Sequence, residues 1–100
     1  MIEGNTVNGI ALNAGGAGLA NANTAEVRVA HNTVCNNGTD IVGEGGASAH
    51  PPLPPNLGIG NLLQGQIFQN TATVVVQDGV QNGMPGNTAA VTQFKNEPCP

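Results

Sequence analysis

Short β-rich segments recur along this chain with the same internal pattern, and this recurrence restricts the fold more than any other feature. Residues 2–7 and 29–34 both read aliphatic, two variable residues, Asn, Thr and Val, at an offset of 27 (29 minus 2). A third copy fits at residues 62–67, at an offset of 33 (62 minus 29), with Gly65 in place of Asn. Repeats of this length that consist of short strands and turns indicate a β-solenoid.

In a β-solenoid, equivalent side chains of successive coils lie above one another, because each strand pairs with its counterpart in the next coil. A fourth copy begins at residues 91–96 and resembles residues 27–32. We expect three inward stacks of aliphatic residues: Ile2, Val29 and Leu62; Val7, Val34 and Ile67; and Ile10 or Leu12 with Ile41 and Val74.

Asparagine recurs at the turns between these segments. It adopts the left-handed backbone conformation at low cost, and its amide can hydrogen-bond to the same residue above and below. Two structural ladders are predicted, one of Asn5 with Asn32 and one of Asn8, Asn37 and Asn70.

The composition agrees with an all-β chain. The 15 Gly and 7 Pro are spread along the sequence, and each Gly or Pro costs a helix roughly 1 or 3 kcal/mol relative to Ala. A chain of 100 residues forms one domain. Within it we expect a Gly- and Pro-rich loop insertion at residues 43–60 and a tail at residues 95–100. The Pro pairs of the insertion suit a spacer that closes the coil or an extended arm that packs on a neighbour.

Charge is sparse, and this excludes two classes of partner. The chain has 2 Lys and Arg against 6 Asp and Glu, for a net charge of −4. Nucleic acids and anionic membrane surfaces are bound by clustered basic residues, so we expect neither as a partner. The sequence also lacks an apolar run long enough for a membrane-spanning helix.

One segment resembles a known superfamily. Residues 32–41 read Asn-Thr-Val-x-x-Asn-Gly-x-x-Ile, which is similar to the degenerate repeat of the right-handed parallel β-helix proteins. These include pectate lyases, polygalacturonases, alginate epimerases and periplasmic proteins with carbohydrate-binding and sugar-hydrolysis repeats. The resemblance is best over residues 2–42 and 62–76. It implies a right-handed parallel β-helix of about three coils with loop insertions, here a C-terminal fragment of a secreted or periplasmic parent that handles polysaccharides.

The chemistry of that superfamily is not fully represented in this chain. Its lyases and epimerases use Arg or Lys, often with calcium-binding carboxylates, and its hydrolases use clustered Asp residues. Asp40 and Asp78 are the only Asp residues here and fall in different coils. We therefore predict no catalytic residues, no metal site and no cofactor. Arg28, His31 and Asp40 are candidate ligand-binding residues near a groove, the alternative being a solvated Arg and a turn His.

Cys35 and Cys99 are the only cysteines. Two cysteines in a chain of secreted type often form a disulfide. A bridge between them would fix the C-terminal tail to the second coil. Two free thiols, one buried and one in the tail, are the alternative.

The open ends of a short solenoid expose strand edges and apolar side chains, which favour association. We therefore predict a homo-oligomer, a dimer or a trimer. Two functions follow: a non-catalytic structural module that associates with itself, or a remnant that binds or modifies polysaccharide in the manner of a lyase, epimerase or hydrolase.

Overall fold

The computed structural model describes residues 1–14, 24–46, 61–78, 80–81, 84–85 and 87–100. These residues form eight β-strands and no helix. Their bounds are β1 Asn8–Asn13, β2 Thr24–Ala30, β3 Thr39–Glu44, β4 Leu62–Phe68, β5 Val74–Gln77, β6 Val80–Gln81, β7 Met84–Pro85 and β8 Thr88–Phe94. Since no helix occurs in these ranges, none is long and apolar enough to cross a membrane.

Six of the strands form two parallel sheets. The first sheet has the order β1-β3-β5 and the second has the order β2-β4-β8, while β6 and β7 form a small antiparallel pair. The chain thus alternates between the two sheets. Short parallel bridges join Ile2 to Val34, Thr33 to Thr71, and Thr71 to Glu97, and we call this third line of contacts the bridge row. The arrangement confirms the predicted all-β class and its parallel pairing.

Part of the predicted stacking is confirmed. In the first sheet, Ile10, Ile41 and Val74 occupy one register position, and Leu12, Gly43 and Val76 occupy another. In the second sheet, Val27 pairs with Gly65 and Gly65 pairs with Val91, which places the fourth repeat in register with the second. Inward side chains at these positions form the core.

The other two predicted stacks are wrong. Ile2 pairs with Val34, Val29 pairs with Ile67, and Leu62 lies between Thr24 and Thr88. Val7 is 69% exposed and joins no stack.

A single repeat length cannot describe this chain, because the connections between equivalent positions differ in length. The separation of equivalent residues is 38 between Glu26 and Gln64, 33 between Glu44 and Gln77, and 26 between Asn70 and Asn96. In the first repeat the separation is 32, between Asn5 and Asn37, so the predicted offset of 27 misplaced its residues.

Asparagine ladders are present, but with other members than predicted. In each ladder the backbone N–H and the side-chain Nδ2 of one Asn both donate to Oδ1 of the next. Asn5 pairs with Asn37 rather than with Asn32, and Asn8 lies in β1 opposite Thr39. The ladders are Asn5–Asn37, Asn32–Asn70–Asn96 and Asn61–Asn87.

A left-handed residue precedes each Asn of the longest ladder. His31, Gln69 and Lys95 have φ angles of 61°, 54° and 57°. The chain turns from the second sheet into the bridge row at these residues. The left-handed position therefore belongs to the residue before the Asn, not to the Asn itself.

Among the described residues, the core is most deeply buried in the middle of the fold and less buried toward both ends. Val34, Ile41, Leu63 and Ile67 are fully buried and lie on central strands or in the middle of the bridge row. The aliphatic residues of the terminal segments are only partly buried against them. These are Ile2, Ile10, Leu12, Val29, Val74, Val76 and Val91.

The predicted boundaries of the insertion need one correction. Residues 43 and 44 belong to β3, because Gly43 and Glu44 continue its pairing with β5. Most of the remaining insertion, residues 47–60, lies outside the described residues. In the tail, residue 95 adopts the left-handed conformation and residue 97 bridges to Thr71.

Candidate functional site

A shallow groove runs across the outer face of the second sheet. Its volume is about 690 Å³. Strand alternation directs the polar side chains of this face outward, while Val27 and Gly65 occupy the inward positions between them. The residues that line it are Glu26, Val27, Arg28, Gln64, Gly65, Gln66 and Thr92. We call this depression the outer groove.

Gly65 forms the floor of the outer groove. Its φ of 134° lies in a region that residues with a side chain rarely adopt. A Cβ at this position would overlap the carbonyl oxygen of Val27. The sequence pattern had placed Gly65 at a turn, in the position of an Asn. That alignment is wrong, because Gly65 lies within β4 and pairs with Val27 and Val91.

An aromatic cluster closes one end of the groove face. The rings of Phe68 and Phe94 are stacked, with centroids 4.7 Å apart and planes 9° apart. The Arg28 Cζ atom lies 4.9 Å from the Phe68 centroid, and the His31 ring meets Phe68 edge-on at 5.8 Å. Phe68 is consequently buried, whereas Phe94 is 39% exposed.

The structure brings together two of the three predicted ligand-binding residues. Arg28 and His31 both contact Phe68. Asp40 belongs to β3 in the first sheet and is buried, so it does not line the outer groove. The prediction of one site containing all three residues is therefore wrong for Asp40.

Asp40 instead stabilises a corner of the fold through hydrogen bonds. Its Oδ2 accepts the backbone N–H of Thr73 at 3.0 Å, and its Oδ1 accepts the backbone N–H and the Nδ2 of Asn37 at 3.3 Å each. The hydrogen bond from Thr73 is the main reason that the pKa of Asp40 is lowered from its ordinary value. Desolvation opposes this shift, and the hydrogen bonds from Asn37 add to it.

The tail covers this corner. Cys35 and Cys99 form a disulfide that links positions 64 residues apart. The Cys99 sulfur lies 3.5 Å from the carbonyl oxygen of Val34 and 3.7 Å from Oδ2 of Asp40. The bridge therefore holds the last residues of the chain over the buried carboxylate.

The side chains of the outer groove offer mainly hydrogen-bonding groups. The groove contains one carboxylate, that of Glu26, which accepts a 2.8 Å hydrogen bond from Gln64 Nε2. Arg28, Gln66 and Thr92 supply further polar groups. Among the residues that the structure describes, no three His, Cys, Asp or Glu side chains are grouped so as to hold a metal ion.

The amide and aromatic residues of this face were not predicted from the sequence. The signal was available in the three corners, where Ala30-His31-Asn32, Phe68-Gln69-Asn70 and Phe94-Lys95-Asn96 have the same arrangement. Aligning the corners places Phe68 next to Phe94.

Comparison with known proteins assigns the chain to no family: no family description, no curated protein and no solved structure matches it.

Proposed function

We propose that this chain is a right-handed parallel β-helix module with a structural function, and that it associates with further copies of itself without catalysing a reaction. The observation that carries the proposal is the burial pattern. Inward aliphatic side chains are fully buried on the central strands, at Ile41, Leu63 and Ile67, and only partly buried on the terminal strands. A further layer of strands at either end would complete their burial.

The strand order supports the β-helix assignment. Successive strands of each sheet are parallel, and a strand of the other sheet lies between them in the chain. Parallel strands joined through a crossover are right-handed in about 98% of cases. The stacked Asn ladders add support, because they repeat one corner geometry at successive levels.

The distribution of ionisable groups supports a non-catalytic function. Asp40 is buried under the disulfide-linked tail. Glu26 and Arg28 are the ionisable side chains among the residues that line the outer groove, and paired carboxylates for acid–base catalysis are not among them.

The disulfide supports a secreted or periplasmic location for the protein. Disulfides persist mainly in oxidising compartments, where thiol-based reductants do not keep cysteines reduced. Mass spectrometry of protein that is alkylated during purification from its natural source counts the free thiols and tests this. Two free thiols per chain would argue against an oxidising compartment.

Sedimentation velocity tests self-association. The expected result is a mass above the 10.0 kDa of one chain that increases with protein concentration. Lys in place of Ala11, an exposed residue of the terminal strand β1, should reduce association because charged residues protect sheet edges. Lys in place of Val42 on the central strand β3 is the matched control. A constant monomer mass for the unmodified chain would contradict the proposal.

A second candidate function is the binding of a neutral polysaccharide in the outer groove. It is favoured by the exposed part of the Phe94 ring, because Phe94 lies two residues beyond the groove residue Thr92 on β8 and therefore on the same face of the sheet. Sugars offer hydroxyl groups to amide side chains and C–H faces to aromatic rings. Arg28 and His31 would lie at one end of such a site.

A glycan array tests this second candidate, together with a lyase assay that follows the absorbance of unsaturated uronates. Binding without turnover is the expected result, and it should weaken when Phe94 is replaced by Ala. Val75→Ala is the matched control, because Val75 has similar exposure, 40%, but lies on the first sheet. Absence of binding to any glycan would exclude this function.

A further inference from the structure

Each row of the fold has a first and a last member, and the pairing identifies them. At the N-terminal end, the bridge segment at Ile2, β1 and β2 are the first members of their rows. At the C-terminal end, β5, β8 and the bridge segment at Glu97 are the last members of their rows. Among the described residues, each three-stranded sheet therefore has one unpaired strand edge at each end.

The free strand edges at the two ends are complementary. If a second copy were added in the same direction, its β1 would lie on β5 and its β2 would lie on β8. Continuing the registers would put Ile10 of the second copy on Val74, and Val27 of the second copy on Val91. These are aliphatic pairs of the kind already found inside the fold. The free edges thus match in strand direction, in register and in the aliphatic character of their inward side chains.

The bridge row cannot continue onto a second copy in the same way, because this chain already supplies one more segment to it than to either sheet. It has four levels, at Ile2, at Thr33 and Val34, at Thr71 and at Glu97, whereas each sheet has three. In the stacked arrangement, Ile2 of the second copy would need the level that Glu97 occupies. Glu97 fills it by donating its N–H to the Asn70 carbonyl and accepting the N–H of Ala72.

We infer that the C-terminal end of the two sheets is a docking surface for the N-terminal end of a second copy of this chain, and that the disulfide-tethered tail occupies the place of the incoming first segment. The inference rests on the proposed self-association and specifies its partner, direction and register. The tail itself illustrates the mode of binding, because its residue 97 adds to the bridge row as a parallel segment.

The tether determines how readily a second copy can dock. Cys99 is bonded to Cys35, so the tail must be displaced against this restraint before all three rows can continue. Head-to-tail contacts do not close on themselves unless the rotation between copies forms a ring. A tethered tail therefore keeps assemblies short, and an untethered tail allows longer ones.

The register provides a test that does not disturb the core. Ala90 is an exposed residue of β8 that pairs with Gln64, and Gln64 pairs with Glu26. In the stacked arrangement, Ala90 faces Glu26 of the second copy. Ala90→Glu should therefore weaken association about three- to tenfold, because like charges directly opposite one another on adjacent strands are destabilising. Adding Glu26→Lys should restore association, and Ala90→Lys alone should not weaken it.

Sedimentation velocity of the full chain measures the association constant, which tests both the head-to-tail register and the effect of the tethered tail. Replacing Cys35 and Cys99 by Ser should raise the association constant about tenfold or more, a difference of about 1.4 kcal/mol. Glu97→Pro, which keeps the disulfide but removes the N–H that bonds to Asn70, should act in the same direction and serves if the double Ser variant does not fold. Circular dichroism establishes folding in each case.

The possible failures are distinguishable. Equal association constants for the parent chain, the tail variants and the Ala90 series would overturn the head-to-tail inference and leave self-association standing. A single species of 10.0 kDa in every variant would overturn self-association itself.

Discussion

The side-chain Nδ2 of Asn70 donates a 3.1 Å hydrogen bond to Oδ1 of Asn96. The backbone N–H of Asn70 donates to the same oxygen, and its own Oδ1 accepts from the level on the other side. Asn70 is thus bonded in both directions along the stack and is 1% exposed. A corner with buried, fully engaged amides fixes the register of the sheets that meet there.

Replacing Asn70 by Ala should lower the free energy of unfolding by about 3 kcal/mol, because each buried polar group left unsatisfied costs roughly 1–3 kcal/mol. Urea denaturation measures this. Asn5→Ala is the matched control, because Asn5 makes the same pair of bonds to Asn37 at an exposed corner. Its effect should stay below about 1 kcal/mol. Equal losses for the two variants would show that burial of the ladder is unimportant.

The left-handed corners offer a way to stabilise the protein. Gln69 is exposed, with a φ of 54°, and this conformation costs a side-chain-bearing residue roughly 1–2 kcal/mol. Gln69→Gly should increase stability by about 0.5 kcal/mol, after the entropic cost of Gly is subtracted. Gln66→Gly, in the same strand region without a left-handed φ, should decrease stability by roughly 0.5–1 kcal/mol. Thermal denaturation should show a gain of stability for Gln69→Gly and a loss for Gln66→Gly. A loss of stability in both variants would contradict the left-handed conformation at residue 69.

Gly65 should tolerate no side chain. Ala at this position would overlap the Val27 carbonyl and adopt a rare backbone conformation, so we expect a loss of about 3 kcal/mol or more from overpacking and strain together. Gly4→Ala separates these causes, because Gly4 also has a positive φ, 81°, but an added Cβ would meet no atom within 4 Å. Denaturant titration should give the smaller loss for Gly4→Ala. A larger loss there would mean that backbone conformation, not close approach, dominates.

Stability should fall in acid because of Asp40. Its pKa is lowered in the folded state, mainly by the hydrogen bond from Thr73. The ionised form therefore stabilises the fold fully above the unfolded-state pKa of about 3.9, and this contribution is lost as pH falls through the lower folded-state pKa.

Asp40→Asn should remove that part of the acid dependence and should destabilise the protein at neutral pH by roughly 1–3 kcal/mol. Denaturation at a series of pH values compares the two proteins. Glu3→Gln serves as the control, because Glu3 is exposed. An acid dependence unchanged by Asp40→Asn would assign it to other carboxylates.

The sequence predicted the all-β class, the parallel pairing and the stack of Ile10, Ile41 and Val74. That stack was found because the chain between Val34 and Val74 keeps its strand pattern over the 33 residues that separate equivalent positions in β3 and β5. Elsewhere, connections of unequal length change the offset from one row to the next. The sequence pattern does not reveal which of these connections are longer.

The functional residues were harder to predict for a different reason. Asp40 is covered by Cys99, which is 59 residues away in the chain, and local sequence carries no signal of such a contact. Arg28 and His31 were correctly placed near one another only because both lie close to the same corner. Their aromatic partner Phe68 comes from the next level, which an unequal offset of 38 residues separates from the first.

Amide hydrogen exchange followed by NMR at low and high protein concentration tests most directly that this module associates through its open sheet ends. If the sheet ends associate, protection rises with concentration in the edge strands β1, β2, β5 and β8, while the central strands β3 and β4 are already protected at low concentration. Protection that does not change with concentration, or that rises only outside these four edge strands, would contradict self-association through the sheet ends.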